Sequence, residues 1–435
     1  MNSIRIYVLS AIILLVFNFS GFAQNSNSVH GKIVDSPNTL VYLKAYYGYQ
    51  SPVVDSVKTD RHGRFTFNYT PSYSEGMMRV TWGNAEDNLF LDIAVEDSIS
   101  FIWKNPEIVE FKAGKKSQAF NRLLEETSIL REKLELLDEV LDYFEDDKKF
   151  SKQTIKRWQN TRREISKSYA DFYREVGKSP FAEFGKALQQ LEPPKPQFSR
   201  NIDNFWQGAE FNHPILLHWN LIPQKVREYF NYFIDIPNTP QEAESIAKRF
   251  TDLSFVPILN NPPVRENIVS FLVEGFESMG MSSLVMYLEE NYLPEEGCTD
   301  ERPALEERLR RIRAFQPGKR VPPLSDENIN IGLSFPNERN IIIFFSPYCP
   351  HCVESLPTWL SYTRNAKDLH VYAISIEDED ATRKALPQIP ENWTLITSPK
   401  LADDYMIYST PSYFVVSKDG TILQRPVNIT DVDMP

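Results

Sequence analysis

The chain has 435 residues, 42% of them hydrophobic and 13% aromatic, which is the composition of a folded protein with several cores and excludes a disordered one. Its formal net charge of -12 leaves no basic surface to displace counterions from phosphates, so nucleic acid is excluded as a partner. Only 3 cysteines are present, Cys298, Cys349 and Cys352, too few for a disulfide framework to hold the fold together.

The first residues read MNSIRIYVLSAIILLVFNFSGFAQ. Arg5 precedes an apolar core from Ile6 to about Phe19, and the small residues Gly21 and Ala23 sit where a signal peptidase reads. The core is shorter than the roughly 20 residues of a spanning helix. We therefore expect residues 1–23 to be a cleaved signal peptide, with the mature protein in the periplasm or cell envelope and carrying no stable membrane span. No cysteine follows the apolar core, so a lipid anchor is not expected.

Residues 28–112 alternate in period two. In "GRFTFNYT", Phe65, Phe67 and Tyr69 point one way while Arg64, Thr66 and Asn68 point the other, as in a half-buried strand. "TLVYLKAYY", "MMRVTWG", "NLFLDIAV" and "SISFIW" repeat the pattern, with "DRHG" and "WGNAED" as turns between strands. Short strands at this spacing predict an antiparallel β-sandwich.

From 115 to 315 the period becomes helical. Leu123, Leu130, Leu134, Leu137, Leu141 and Phe144 share one helix face. Ser151 is placed to cap a second helix carrying Ile155, Trp158, Ile165, Tyr169 and Phe172, stopped by Gly177 and Pro180. The pair predicts an antiparallel hairpin at the start of an all-α region. His213 and His218 are five apart and miss the i, i+4 spacing of a helical metal pair.

"QPGKRVPPLSDEN" is a polar, proline-containing link, after which 320–435 reads as α/β. "NIIIFF" is a short β-branched apolar run, as expected of a strand buried on both faces. "SPYCPHC" follows, and then Val353, Leu356, Trp359 and Leu360 at helical spacing. This order puts Cys349 at a helix N-terminus, where free N–H groups and the dipole favour thiolate over thiol. Cys352, one turn further in, is near enough to bridge. The pair suits a nucleophile and a resolving thiol. A structural zinc site needs four ligands, and beyond this pair only Cys298 remains, so neither metal nor cofactor is expected. Cys298 lies in an acidic loop, "PEEGCTDERP", which would raise a thiol pKa and argues against a third catalytic thiol.

From about Val321 the sequence resembles the thioredoxin-fold thiol–disulfide oxidoreductases of the TlpA/ResA-like family. Beyond the Cys-x-x-Cys, Pro357 stands where thioredoxins kink the first helix, and "LADDYMIYSTPSYFVVSKDGTIL" matches a later helix, Thr-Pro, strand, Asp-Gly turn and final strand. The resemblance implies a cis Thr410–Pro411 bond facing Cys349, with both residues helping to hold an extended substrate segment. "VVDSVKTDRHGRFTFN" resembles the β-rich domain of unknown function found ahead of such modules in Gram-negative envelope proteins, and a helical region often joins the two. Two departures stand out. Ile343 occupies the place of thioredoxin's buried acid, six residues before the first cysteine, so proton exchange with Cys352 needs another group. The chain also ends "RPVNITDVDMP", leaving little room for a closing helix, so that one sheet face is expected to be covered by the helical region.

Pro350 and His351 lie between the cysteines and are expected to tune them, an imidazole beside Cys349 favouring its thiolate. A Pro-His pair is what the strongly oxidising DsbA-type enzymes carry, whereas the TlpA/ResA-like family is mostly reductive, so the direction of electron flow stays open. The expectation is an exported oxidoreductase exchanging disulfides with protein substrates and a redox partner. The alternative is an envelope binding or scaffold protein whose thioredoxin module is passive.

Overall fold

The computed structural model describes residues 27–432 apart from 84–88, 107, 145, 194–195, 197–204, 207, 235–239, 280, 298, 328, 365 and 367. The expected signal peptide and Cys298 lie outside the described residues. Among those described, no helix is long and apolar enough to cross a membrane.

Strands come first: β1 (Asn27–Ile33), β2 (Leu40–Ala45), β3 (Val53–Lys58), β4 (Arg64–Tyr69), β5 (Met77–Trp82), β6 (Leu89–Ala94), β7 (Ser98–Asn105) and β8 (Ile108–Ala113). They form two sheets, ordered β4-β1-β7-β8 and β3-β2-β5-β6. Alternate residues such as Phe65 and Phe67, Val41 and Leu43, and Phe101 and Trp103 build one shared core. One pairing corrects the antiparallel expectation: β1 and β7 run parallel, with Val29 opposite Ile99. Alternation has the same period in both kinds of ladder, so it cannot tell them apart.

Helices follow: α1 (Lys115–Tyr143), α2 (Lys148–Val176), α3 (Ala182–Gln190), α4 (Leu221–Ile234), α5 (Pro240–Phe255), α6 (Pro262–Ser278), α7 (Ser282–Tyr292) and α8 (Arg302–Ala314). The N-terminus of α1 is held by Glu96, whose carboxylate accepts from the backbone N–H groups of Lys116 and Ser117 at 2.8 and 3.0 Å. Ser151 does not cap α2. The carboxylate of Asp147 takes the N–H groups of Lys149 and Phe150, while Ser151 sits inside the helix and donates to the Phe144 carbonyl.

The last part contains β9 (Leu324–Ser325), β10 (Asn330–Gly332), β11 (Arg339–Phe345), α9 (Pro350–Thr363), β12 (Leu369–Ser375), α10 (Glu379–Ala385), β13 (Trp393–Thr397), α11 (Pro399–Asp404), β14 (Ser412–Val416) and β15 (Ile422–Gln424). Its main sheet is ordered β13-β12-β11-β14-β15. β11, β12 and β13 are parallel, and β14 and β15 are antiparallel additions. With α9 and α10 as the crossovers, this is a thioredoxin fold.

The sheet separates two cores. Ile341, Ile343 and Phe345 face α9, with Leu356 and Trp359, while Ile342 and Phe344 face the other way, toward Leu401 and Tyr405 of the α11 side. Val353 departs from the expected apolar stripe and is 46% exposed. After β15 a single helical turn, Ile429–Asp431, places Ile429 in the α9-side core with Val432. The helical region reaches the opposite core instead: Phe315, just after α8, stacks on Tyr405 and meets Phe414 edge-on.

The chain packs as two compact units. One holds the strands β1–β8 with the first part of α1 and the last part of α2; the other holds Tyr46–Gln50, Leu130–Glu164 and everything from Ala182 onward. The helices α3–α8 and the thioredoxin fold thus share one unit. The proline-containing link between them is no loose tether. Gly318 and Val321 donate to the carbonyls of Ile422 and Gly420 at 2.8 and 2.9 Å, and Ile422 returns a bond to Lys319.

Candidate active site

The buried strand β11 delivers the chain into the turn Ser346–Cys349, and the helix starts at Pro350. Cys349 is extended at the N-cap, with φ -82 and ψ 116, and Pro350 fills the first helical position, where a missing N–H costs nothing. Cys349 is half-buried and Cys352 fully buried, and both are free thiols. Pro357 lies inside α9 and is exposed. The Thr410–Pro411 bond, in the loop ahead of β14, is cis. The Cys349 thiol donates to the Thr410 carbonyl at 3.2 Å, so the two segments that the sequence marked meet at one sulfur.

The two thiols are pushed in opposite directions. Partial burial raises the pKa of Cys349, but hydrogen bonds from the backbone and thiol of Cys352, the Thr410 side chain and the His351 backbone outweigh it, leaving it below the ordinary thiol value. Burial pushes Cys352 up to about 11, with the Cys349 charge adding to the rise against the Ser346 backbone and the Thr410 side chain. His351 therefore reaches the nucleophile through its N–H, while its side chain, like that of Pro350, is exposed.

One polar group at the site was not foreseen. Ser346, buried, donates to the Glu377 carboxylate at 2.9 Å and accepts the Tyr348 N–H at 3.2 Å, and its carbonyl takes the Cys349 N–H at 3.1 Å. Glu377 thus braces the cysteine turn from the end of β12. Its sequence run, "SIEDED", offers several carboxylates and nothing to single this one out. Tyr348 and Tyr408 are 68% and 70% exposed, so aromatic surface flanks the cysteine turn and the Thr-Pro loop. Among the described residues, no cluster of three or more side chains could hold a metal ion.

A thioredoxin fold bearing a free Cys-x-x-Cys pair at a helix N-terminus, beside a cis proline loop, is the class that fold and site define. No protein-family model matches the chain, and no curated protein does. Among solved structures, a thioredoxin-like protein from Bacteroides caccae is 19% identical and is matched over 54% of this chain and 92% of its own, with a TM-score of 0.29. The C-terminal domain of an uncharacterized protein from Bacteroides fragilis is 20% identical over 27% of this chain and 93% of its own, with a TM-score of 0.23. StoA from Bacillus subtilis is 16% identical over 25% and 86%, with a TM-score of 0.20. At these scores the functional reading stands on the geometry of the chain itself.

Proposed function

We propose that the protein is an exported thiol–disulfide oxidoreductase of the TlpA/ResA-like kind, exchanging disulfides with protein substrates in the periplasm or cell envelope. The observation that carries the reading is geometric: a half-buried Cys349 stands at the N-cap of α9 with its sulfur 3.2 Å from the carbonyl of Thr410, in the cis Thr410–Pro411 step, and a fully buried Cys352 follows in the first turn of the helix. The Cys349 thiolate attacks one sulfur of the substrate disulfide, the substrate S–S bond breaks, and the leaving thiolate takes a proton from solvent. Cys352 then gives up its proton and attacks Cys349, releasing the second substrate thiol and closing a Cys349–Cys352 disulfide. Two electrons have passed to the substrate, and a thiol redox partner must return them. The same steps in reverse oxidise a substrate dithiol. Thr410 and Pro411 would present backbone to an extended substrate segment beside Cys349.

The test is trapping. Cys352→Ser should accumulate a mixed disulfide between Cys349 and an oxidised peptide, visible by mass spectrometry, and Cys349→Ser should form none. Normal turnover by Cys352→Ser would remove the resolving role.

A further inference from the structure

Within the unit that contains the thioredoxin fold, a cleft of about 630 Å³ opens between α8, with the end of α6, and the loop 405–413. That is the size of a pocket holding part of a peptide or a small ligand. Pro411 and Ser412 line one wall, next to Thr410, whose carbonyl lies 3.2 Å from the Cys349 sulfur.

The glutamates and arginines of the cleft lining are equal in number, but they do not all pair with one another. Arg308 and Arg311 both hold Glu277, one on each carboxylate oxygen, and Arg308 also bonds Glu274 at 2.7 Å, which takes the Tyr49 hydroxyl as well. Glu307 is paired with Arg310, outside the cleft lining. Arg425 is the third arginine of the lining, and no described residue gives it an ion pair or a hydrogen bond. Its guanidinium lies 3.7 Å from the centre of the Phe414 ring, a support for the cation that leaves its N–H donors unused. Burial lowers its pKa to about 10, opposed by the charge of Glu277 and aided by that of Arg311, so it stays protonated at neutral pH. A half-buried cation with an idle fork of donors is suited to a carboxylate, which it can take with two parallel bonds.

We propose that this cleft extends the substrate site and that Arg425 binds the carboxylate of an acidic side chain near the reacting cysteine of the protein substrate. The assignment rests on the redox reading above and narrows its substrate class to disulfides with an acidic residue nearby. The excess of acidic residues over the whole chain works against acidic partners at long range, which makes a local, desolvated arginine the device that selects them.

Binding is measured with the full chain and short labelled peptides, acetylated and amidated, in which serine replaces the reactive cysteine and glutamate or glutamine occupies successive positions beside it. Fluorescence anisotropy should find a position where glutamate binds about tenfold more tightly than glutamine. Arg425→Met, which keeps an unbranched side chain beside Phe414 without the charge, should erase the preference, and Arg425→Lys should keep part of it. A glutamine peptide with a free terminal carboxylate should not recover the affinity; full recovery would reassign the site to a chain terminus and overturn the side-chain assignment. Equal affinities at every position, or a preference that survives Arg425→Met, would overturn the proposal. Turnover of a small neutral disulfide by the unmodified protein reads the redox function separately, so failure of one is distinct from failure of the other.

Discussion

Cys349 owes its lowered pKa to donors fixed in space by the helix start and by the Thr410 loop, rather than to a neighbouring charge. Each pKa unit is worth about 1.4 kcal/mol between thiol and thiolate, and roughly 30 mV in a two-electron couple. Thiolate absorbance should therefore titrate below the free-thiol value of about 8.5. The sign carries to rate: attack on a small disulfide rises with pH until Cys349 is ionised, then levels off below that value. A rate that keeps climbing to the free-thiol range would contradict the assignment. His351→Ala should move this profile little, because the contact runs through a backbone N–H that alanine also has. The cysteines and the Thr-Pro step were legible as local motifs. Glu377 and Arg425 were not, since the partner of Glu377 lies 31 residues away in Ser346 and that of Arg425 is Phe414 on the neighbouring strand β14, a pairing set by the register of the hairpin. Local sequence carries no record of such pairings.

The elements around the site are fixed by paired polar groups inside an apolar core. Trp359, at the middle of α9, is fully buried, and its indole N–H donates to the Tyr413 hydroxyl at 2.9 Å, tying the cysteine helix to β14. Tyr413→Phe leaves that donor without its acceptor and should cost about 1–3 kcal/mol, read from the denaturant midpoint of the thioredoxin domain. An unchanged midpoint would mean that the indole finds another acceptor. Element types were legible because period and length separate strand from helix, and "NIIIFF" became the fully buried β11. Pairing was not. The parallel β1–β7 contact joins segments about seventy residues apart, and alternation alone does not choose their direction. The cap of α2 went to Asp147 rather than Ser151 because the helix starts at Lys148, which leaves Asp147 beside the free N–H groups of the first turn and puts Ser151 inside the helix.

At the scale of the molecule, the thioredoxin sheet draws on residues before its own first strand. Phe315, after α8, is 7% exposed within the core shared with Tyr405 and Phe414, and the following link pairs with β15. Phe315→Ala should therefore destabilise the thioredoxin domain by about 3–5 kcal/mol, seen as a lower thermal midpoint in the full chain. No change would show that α8 is a bystander to that core. The sequence marked the helical region as a cover for one sheet face, but not which face, since that follows from the path of the link along β15. The central claim, that the Cys349–Cys352 pair is an active exchange centre and not a passive relic, is tested most directly by insulin reduction with a thiol as terminal donor. The full chain should reduce insulin faster than the donor alone, and Cys349→Ser should fall to the donor's rate. A wild-type rate equal to the donor's, with both thiols shown free, would contradict it.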